Sequence, residues 1–301
     1  MFARLRDSDL YYSFRRNPLA MVSAGVLFVC VFGSVFSPWL APTNPFDLAK
    51  LSVMDSFNPP AFMPEGLRAY LLGTDEQGRD VLSSIMYGTR ISLLVGVAAV
   101  VFALSLGVTV GLVSGYVGGL TEAILMRITD VQLSFPSILI ALLVDGIARA
   151  ALPRDLHNTL EIYVLIFAIG IAAWPQFART VRGSTMVERG KEYVMAARVI
   201  GISSSRIMFT HILPNVLGPV LVIATLALGQ AILAEATLSF LGVGLPPTEP
   251  SLGTLIRIGQ NFLLSGEWWV TIFPGVALAL MVLAINLLGD WLRDALNPRL
   301  R

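Results

Sequence analysis

The 301-residue chain holds one cysteine, two histidines and two lysines, and charged residues make up only 14% of it. Each shortage removes a class of function. Cys30 has no partner in the chain, so neither a disulfide framework nor a zinc cluster can form. His157 and His211 lie far apart and no H-E-x-x-H helix occurs, which leaves little for a histidine-based hydrolase. Lys50 and Lys191 both lack the glycines of a phosphate-cradling G-x-x-x-x-G-K-[ST] loop, so the chain cannot hold ATP in that way. A G-x-S-x-G nucleophile elbow is missing as well. The net charge of +1 argues against a nucleic-acid partner, because phosphate binding needs a concentrated basic surface. No internal repeat is visible, so any two-fold symmetry must come from a second subunit.

Apolar length is what the chain has in abundance. Hydrophobic residues reach 55% and the mean hydropathy is +0.74, whereas soluble domains carry about 25% charged residues. The bilayer is therefore the expected solvent. A membrane span needs roughly 20 mostly apolar residues, and six segments qualify: Leu19–Leu40, Ile91–Gly115, Val131–Ala148, Ile162–Ala178, Val216–Leu241 and Trp268–Leu288. The first exceeds the apolar core of a cleaved signal peptide and is expected to be retained. Two thirds of the 21 lysines and arginines fall inside if both termini face the cytoplasm, which favours an N-in, C-in arrangement. Trp39, Trp268 and Trp269 then sit at the outer interface and Trp291 at the inner one.

The outer loop is rich in proline and ends in LLGTDEQGRD, residues 71–80. Its acids do not follow calcium-loop spacing, and a turn-rich surface element against the helix ends is expected. Gly107, Gly111, Gly115 and Gly119 recur every four residues, which predicts one helix face where a second backbone packs closely. Pro136, Pro175, Pro219 and Pro274 fall in or near spans, as kinks or as cavity-forming breaks.

One stretch differs in character: KEYVMAARVIGISSSRIMFTHILPN, residues 191–215, is polar and amphipathic between two apolar spans. Residues 188–200 read as one helix, with Tyr193, Ala196, Ala197 and Ile200 close to one face and Arg189, Lys191 and Arg198 toward solvent. Glu192 lies in its first turn. Gly201 suits a helix end, and Ser203 suits the next N-cap. A short helix over 204–211 is predicted to end before Leu213 and Pro214. Physically, the hairpin is either an interfacial element on lipid headgroups or a dock for a cytoplasmic partner.

The spacing Met195-Ala196-Ala197, three residues, Gly201, nine residues, then His211-Ile212-Leu213-Pro214 resembles the EAA loop of ABC importer permeases. Met195 stands where that pattern has glutamate, and His211 where it has isoleucine. The stretches LLGTDEQGRDVLSSIMYGTRISLLVG, MRITDVQLSFPSILIAL, EYVMAARVIG, ILAEATLSFLGVG and GDWLRDALNPRLR are together similar to the second permease subunit of dipeptide/oligopeptide ABC importers, along almost the whole chain.

The resemblance implies an all-α membrane protein of six transmembrane helices with the type I ABC importer permease fold. The implied layout is a cytoplasmic tail (1–17), a first helix (18–40), a periplasmic loop (41–89), a transmembrane domain (90–290) containing the coupling loop (182–214), and a second cytoplasmic tail (291–301). It further implies a bacterial inner-membrane permease in a heterodimer with a homologous first permease. Two cytoplasmic ATPases would carry ATP and Mg, and a periplasmic binding protein would deliver the solute. The chain itself would bind no cofactor or metal and catalyse nothing. Relatives in this class also carry nickel, glutathione or opines. A gradient-driven carrier or channel and, more remotely, a membrane enzyme are the readings from other classes.

Five expectations concern polar groups in or near the spans. Glu235 is either a solute contact or a hydrogen-bond partner of a neighbouring helix. Gln230 and Asn286 are expected to bond between helices, with a place on the translocation path as the alternative for Gln230, Asp145 to be solvated, and Asp130 to pair locally with Arg127. His211 is expected at the membrane surface.

Overall fold

In the computed structural model, residues 9–47, 51–246 and 250–296 are described. The ends of both expected tails, residues 1–8 and 297–301, lie outside the described residues. Among the described residues the regular structure is helical, apart from an isolated bridge between Thr74 and Asp80. Among the described residues five helices are long and apolar enough to cross a membrane, and six spans result if a bent pair is counted as one.

Helix α1 (Asp9–Arg16) leads into α2 (Pro18–Val35), where Asn17 accepts a 3.0 Å bond from the Ala20 N–H and Pro18 occupies the first turn. That cap satisfies one of the orphan donors at the helix start. The first predicted span is interrupted at Phe36, and the short α3 (Ser37–Leu40) follows.

Helix α4 (Val81–Val117) starts well before the expected Ile91, because Asp80 caps it through a 2.8 Å bond from the Ser83 N–H. At 37 residues it is roughly 55 Å long, so it extends beyond the hydrocarbon core. Hydropathy marks the lipid-embedded part of a helix and is blind to its polar ends. Helix α7 (Arg154–Arg189) outruns its predicted span for the same reason.

The third predicted span is not one rod. It is divided between α5 (Gly119–Leu133) and α6 (Ser137–Ala151), bent by 94° at a break that includes Pro136. Proline disfavours helical dihedrals in the residue before it and has no N–H to give. The elbow leaves a concave wall. By contrast Pro175, Pro219 and Pro274 lie inside continuous helices.

Helices α4 and α7 pack closely and over the longest stretch of any helix pair among the described residues. A methyl group at Gly107 would stand 2.5 Å from Phe177 Cβ, at Gly111 2.6 Å from the Ala178 carbonyl, and at Gly115 2.8 Å from the Arg182 carbonyl. Three members of the predicted glycine series thus form one seam. Gly119 does not join it: it begins α5 with φ +60° and open space around it. The helix ends at Gly118, so the four-residue register stops there.

The remaining elements are the short helices α8 (Glu192–Val199) and α9 (Ser204–Arg206), a π-turn at Ile207–Ile212, then α10 (Leu213–Phe240), α11 (Leu252–Gln260) and α12 (Trp269–Leu296). At the far end of α4 from the hairpin, the expected surface element is in fact buried. Thr74, Asp75, Arg79 and Asp80 are each under 5% exposed. Asp75 takes bonds from the Gln77 and Arg79 N–H groups and pairs with the Arg79 guanidinium at 2.9 Å. Trp269 Nε1 donates to the Thr74 carbonyl at 3.1 Å, pinning the loop to α12.

Candidate functional site

The hairpin between α7 and α10 departs from its predicted form in three respects. Residues 188–200 are not one helix: α7 ends at Arg189, Gly190 and Lys191 turn the chain, and α8 starts at Glu192. The second helix does not end before Pro214. The π-turn at Ile207–Ile212 carries it into α10, giving one continuous 37-residue element from Ser204 to Phe240. A π-turn rephases the upstream carbonyls where Pro214 has no N–H to donate. Ser203 holds the N-cap position of α9, but its side chain makes no capping bond.

The joint between the two helices is well defined. Gly201 has φ +80°, its N–H donates to Arg198 at 3.0 Å, and the Ile202 N–H donates to Ala197 at 3.0 Å. This double closure is a Schellman motif, which needs a left-handed residue at Gly201.

Which way α8 faces also differs from the periodicity reading. Val194 and Ala197 are buried, whereas Ala196, Val199 and Ile200 point outward, the last two 87% and 74% exposed. The three cations expected in solvent all have partners. Lys191 pairs with Glu188 at 2.6 Å, Arg189 reaches the Gly115 carbonyl at 3.5 Å, and Arg198 stacks over the Tyr116 ring at 4.9 Å. Tyr193 donates to Glu188 at 2.6 Å and accepts from Asn215 at 3.2 Å. Burial, then the bond and charge of Glu188, push this phenol up to about 12, so it remains a donor at neutral pH. Glu192 is exposed in the first turn of α8, where a negative charge suits the helix dipole. Leu213 is half-buried and Pro214 exposed at the start of α10. The hairpin is thus bolted to the ends of α4 and α7, and it presents an apolar tip outward.

A cavity of about 1010 Å³ is walled by the α5–α6 elbow, α7, α10 and α12. Gln230 is exposed on this wall, together with Gln176, which the sequence reading did not single out. Its signal was present: a lone amide beside Pro175 in an apolar run. Asn286, expected as an interhelical partner, also lines the cavity and lies against Gly229 of α10.

Glu235 is not on the cavity wall. It is fully buried, with Ser92 donating to it at 2.7 Å and Ser239 at 2.8 Å. Ser92 also accepts from the Leu252 N–H at 3.3 Å, so this cluster fastens α10, α4 and the start of α11 together. Asp145 is likewise buried, against expectation, in a triad with Arg149 at 2.6 Å and, through it, Glu161 at 3.2 Å. Asp130 pairs across helices with Arg179 at 2.6 Å, not with Arg127 one turn away. Asp130 and Arg179, like Ser92 and Glu235, lie dozens of residues apart, so these pairs cannot be read from local spacing. Among the described residues no cluster of His, Cys, Asp or Glu could hold a metal ion.

Fold and hairpin together define a helical membrane permease. Residues 107–301 match the family described as binding-protein-dependent transport system inner membrane component, and residues 8–60 match the N-terminal transmembrane domain of oligopeptide transport permease C. The chain is 37% identical over 293 residues to the dipeptide transport system permease protein DppC of Haemophilus influenzae, covering 97% of this chain and 95% of that one. It is 41% identical to DppC of Escherichia coli, over 97% and 93% of the two chains. The di/tripeptide permease DppC of Pseudomonas aeruginosa is 38% identical, over 97% and 92%. A solved structure of the MetNI methionine ABC transporter in inward-facing conformations superposes with a TM-score of 0.56 at 19% identity, covering 71% of this chain and 96% of that one. The chain belongs to the binding-protein-dependent transport family as an inner-membrane permease with the type I ABC importer fold.

Proposed function

We propose that this chain is the second permease of an ATP-driven importer of dipeptides and short oligopeptides. It acts beside a homologous first permease, above two cytoplasmic ATPases and below a periplasmic binding protein. The observation that carries the cargo class is the 37–41% identity, over nearly the whole chain, to permeases named for dipeptides. ATP and Mg belong to the ATPases, and this chain is non-catalytic. With both termini inside, the hairpin faces the cytoplasm.

In this reading the apolar tip, Ala196, Val199 and Ile200, seats in a cleft of the ATPase. Exposed apolar side chains on an element closed by a Schellman joint are the composition of a protein dock. The hairpin is continuous with α10 and tied by Arg189 and Arg198 to the end of α4. Movement imposed on the tip therefore passes into helices bounding the cavity and changes which side it opens to. The α4–α7 seam holds its shape while this happens.

The test is uptake of a labelled dipeptide into proteoliposomes holding both permeases, the ATPases and the binding protein. ATP-dependent accumulation is the expected result. Accumulation driven by an ion gradient without ATPase would overturn the reading in favour of a secondary carrier.

A further inference from the structure

Resting on the peptide reading, we propose that this chain's wall of the path recognises cargo by its peptide backbone, through the free amides of Gln176, Gln230 and Asn286. The argument comes from sorting the polar groups on the cavity wall. Some are already engaged by the protein. Gln132 accepts from Trp174 Nε1 at 3.0 Å and donates to the Ile171 carbonyl, and the Thr237 hydroxyl is taken by the Leu233 carbonyl at 2.7 Å. The side chains of Gln176, Gln230 and Asn286 line the same cavity without a protein hydrogen bond among the described residues. They come from three different helices, α7, α10 and α12.

A side-chain amide offers two donors and one acceptor, which complements the C=O and N–H of a peptide bond. Polar groups that only stabilised the bundle would be satisfied inside it, as Gln132 and Glu235 are. Three unengaged amides converging on one space fit a ligand whose recurring feature is the amide itself.

Charge is the second observation. Only Asp290, exposed toward the end of α12, is ionisable among the residues lining the cavity. The nearby acids are turned away from it: Glu235 lies within its serine cluster, and Asp145 lies against Arg149. A zwitterion with a varying side chain presents both signs on its way through. A fixed charge on the wall would retain one sign and repel the other. The amides themselves carry no charge, so their hold on the shared backbone is the same for cationic, neutral and anionic peptides, and Asp290 is the one fixed charge the wall adds. A wall built for a metal ion would gather several carboxylates or imidazoles, and among the described residues this wall carries one, Asp290.

The test compares two variants with the wild type in the full reconstituted transporter, using saturating loaded binding protein and three labelled dipeptides: lysyl-alanine, alanyl-alanine and glutamyl-alanine. Taking each rate relative to wild type cancels the binding protein's own preference. Gln230→Leu lowers all three rates by a common factor of about fivefold, the loss of one neutral hydrogen bond. Gln230→Glu shifts the ratio of lysyl-alanine to glutamyl-alanine uptake by about tenfold. Thermal unfolding of both variants matches the wild type, since the side chain is exposed. Unchanged rates in Gln230→Leu, or an unchanged ratio in Gln230→Glu, overturn the proposal while leaving the peptide reading intact. Wild-type transporter that imports none of the three dipeptides but does import a nickel chelate overturns both.

Discussion

Gly111 and Gly201 are both glycines for different reasons, and the contrast separates the two halves of this protein. At Gly111 the backbone is ordinary helix and space is the constraint: a methyl group would meet the Ala178 carbonyl at 2.6 Å. At Gly201 a Cβ would find nothing within 4 Å, and the φ of +80° is the constraint. The seam satisfies itself. The hairpin is held rigid by its dihedral and its bonds while its tip is left uncovered, which is what a part contacted by another protein requires. In a membrane bundle, close backbone approach supplies packing that the hydrophobic effect does not. On the proposed function, the uncovered tip is where the partner ATPase seats.

Substitutions can break this contrast, and their effects on stability should fall in a definite order. Gly111→Leu should be the most damaging. It forces α4 from α7 at a cost of roughly 3 kcal/mol, read as loss of monodisperse protein in detergent and a lowered Tm. Glu235→Leu should follow at about 1–3 kcal/mol, because it strands two buried serine hydroxyls. Glu235→Gln, which can still bond both, should stay near wild type in the same thermal assay and in peptide uptake. A loss of uptake in Glu235→Gln with unchanged Tm would place this residue in the path instead.

Gly201→Val should cost about 1–2 kcal/mol through its left-handed backbone, with assembly intact. Here the functional effect exceeds the structural one: uptake falls sharply while ATP hydrolysis by the partners continues. Unchanged uptake would count against coupling through the hairpin. Ile200→Asp should be the mildest for the isolated chain, within about 0.5 kcal/mol, yet it should abolish copurification of the ATPase. The stability order thus runs opposite to the functional order at the hairpin, and a parallel ranking would break the contrast.

The sequence carried the long apolar helices, the register of Gly107, Gly111 and Gly115, and the turn at Gly201, because each follows from local periodicity or one residue's dihedral preference. It did not carry what depends on distant partners. Arg179 reaching Asp130, Arg198 stacking on Tyr116 and Ser92 reaching Glu235 are tertiary events with no local signature. The misread faces of α8 have the same origin. Periodicity groups Tyr193, Ala196, Ala197 and Ile200 on one face, yet of these only Ala197 is covered, together with Val194, while Ile200 is not. An apolar residue exposed on a short helix looks like a core residue until the structure shows that nothing covers it. The 94° elbow was legible only as Pro136, since one proline can kink, break or be absorbed, as Pro175 and Pro219 are.

The most direct test uses a single accessible cysteine, Ile200→Cys, in a Cys30→Ala background, within sealed inside-out and right-side-out vesicles carrying the partner ATPases. The account predicts that this position forms a cross-link to the ATPase and is labelled by an impermeant maleimide only from the cytoplasmic face after the ATPases are stripped. Labelling from the outer face, or full labelling with the ATPases bound and no cross-link, would contradict it.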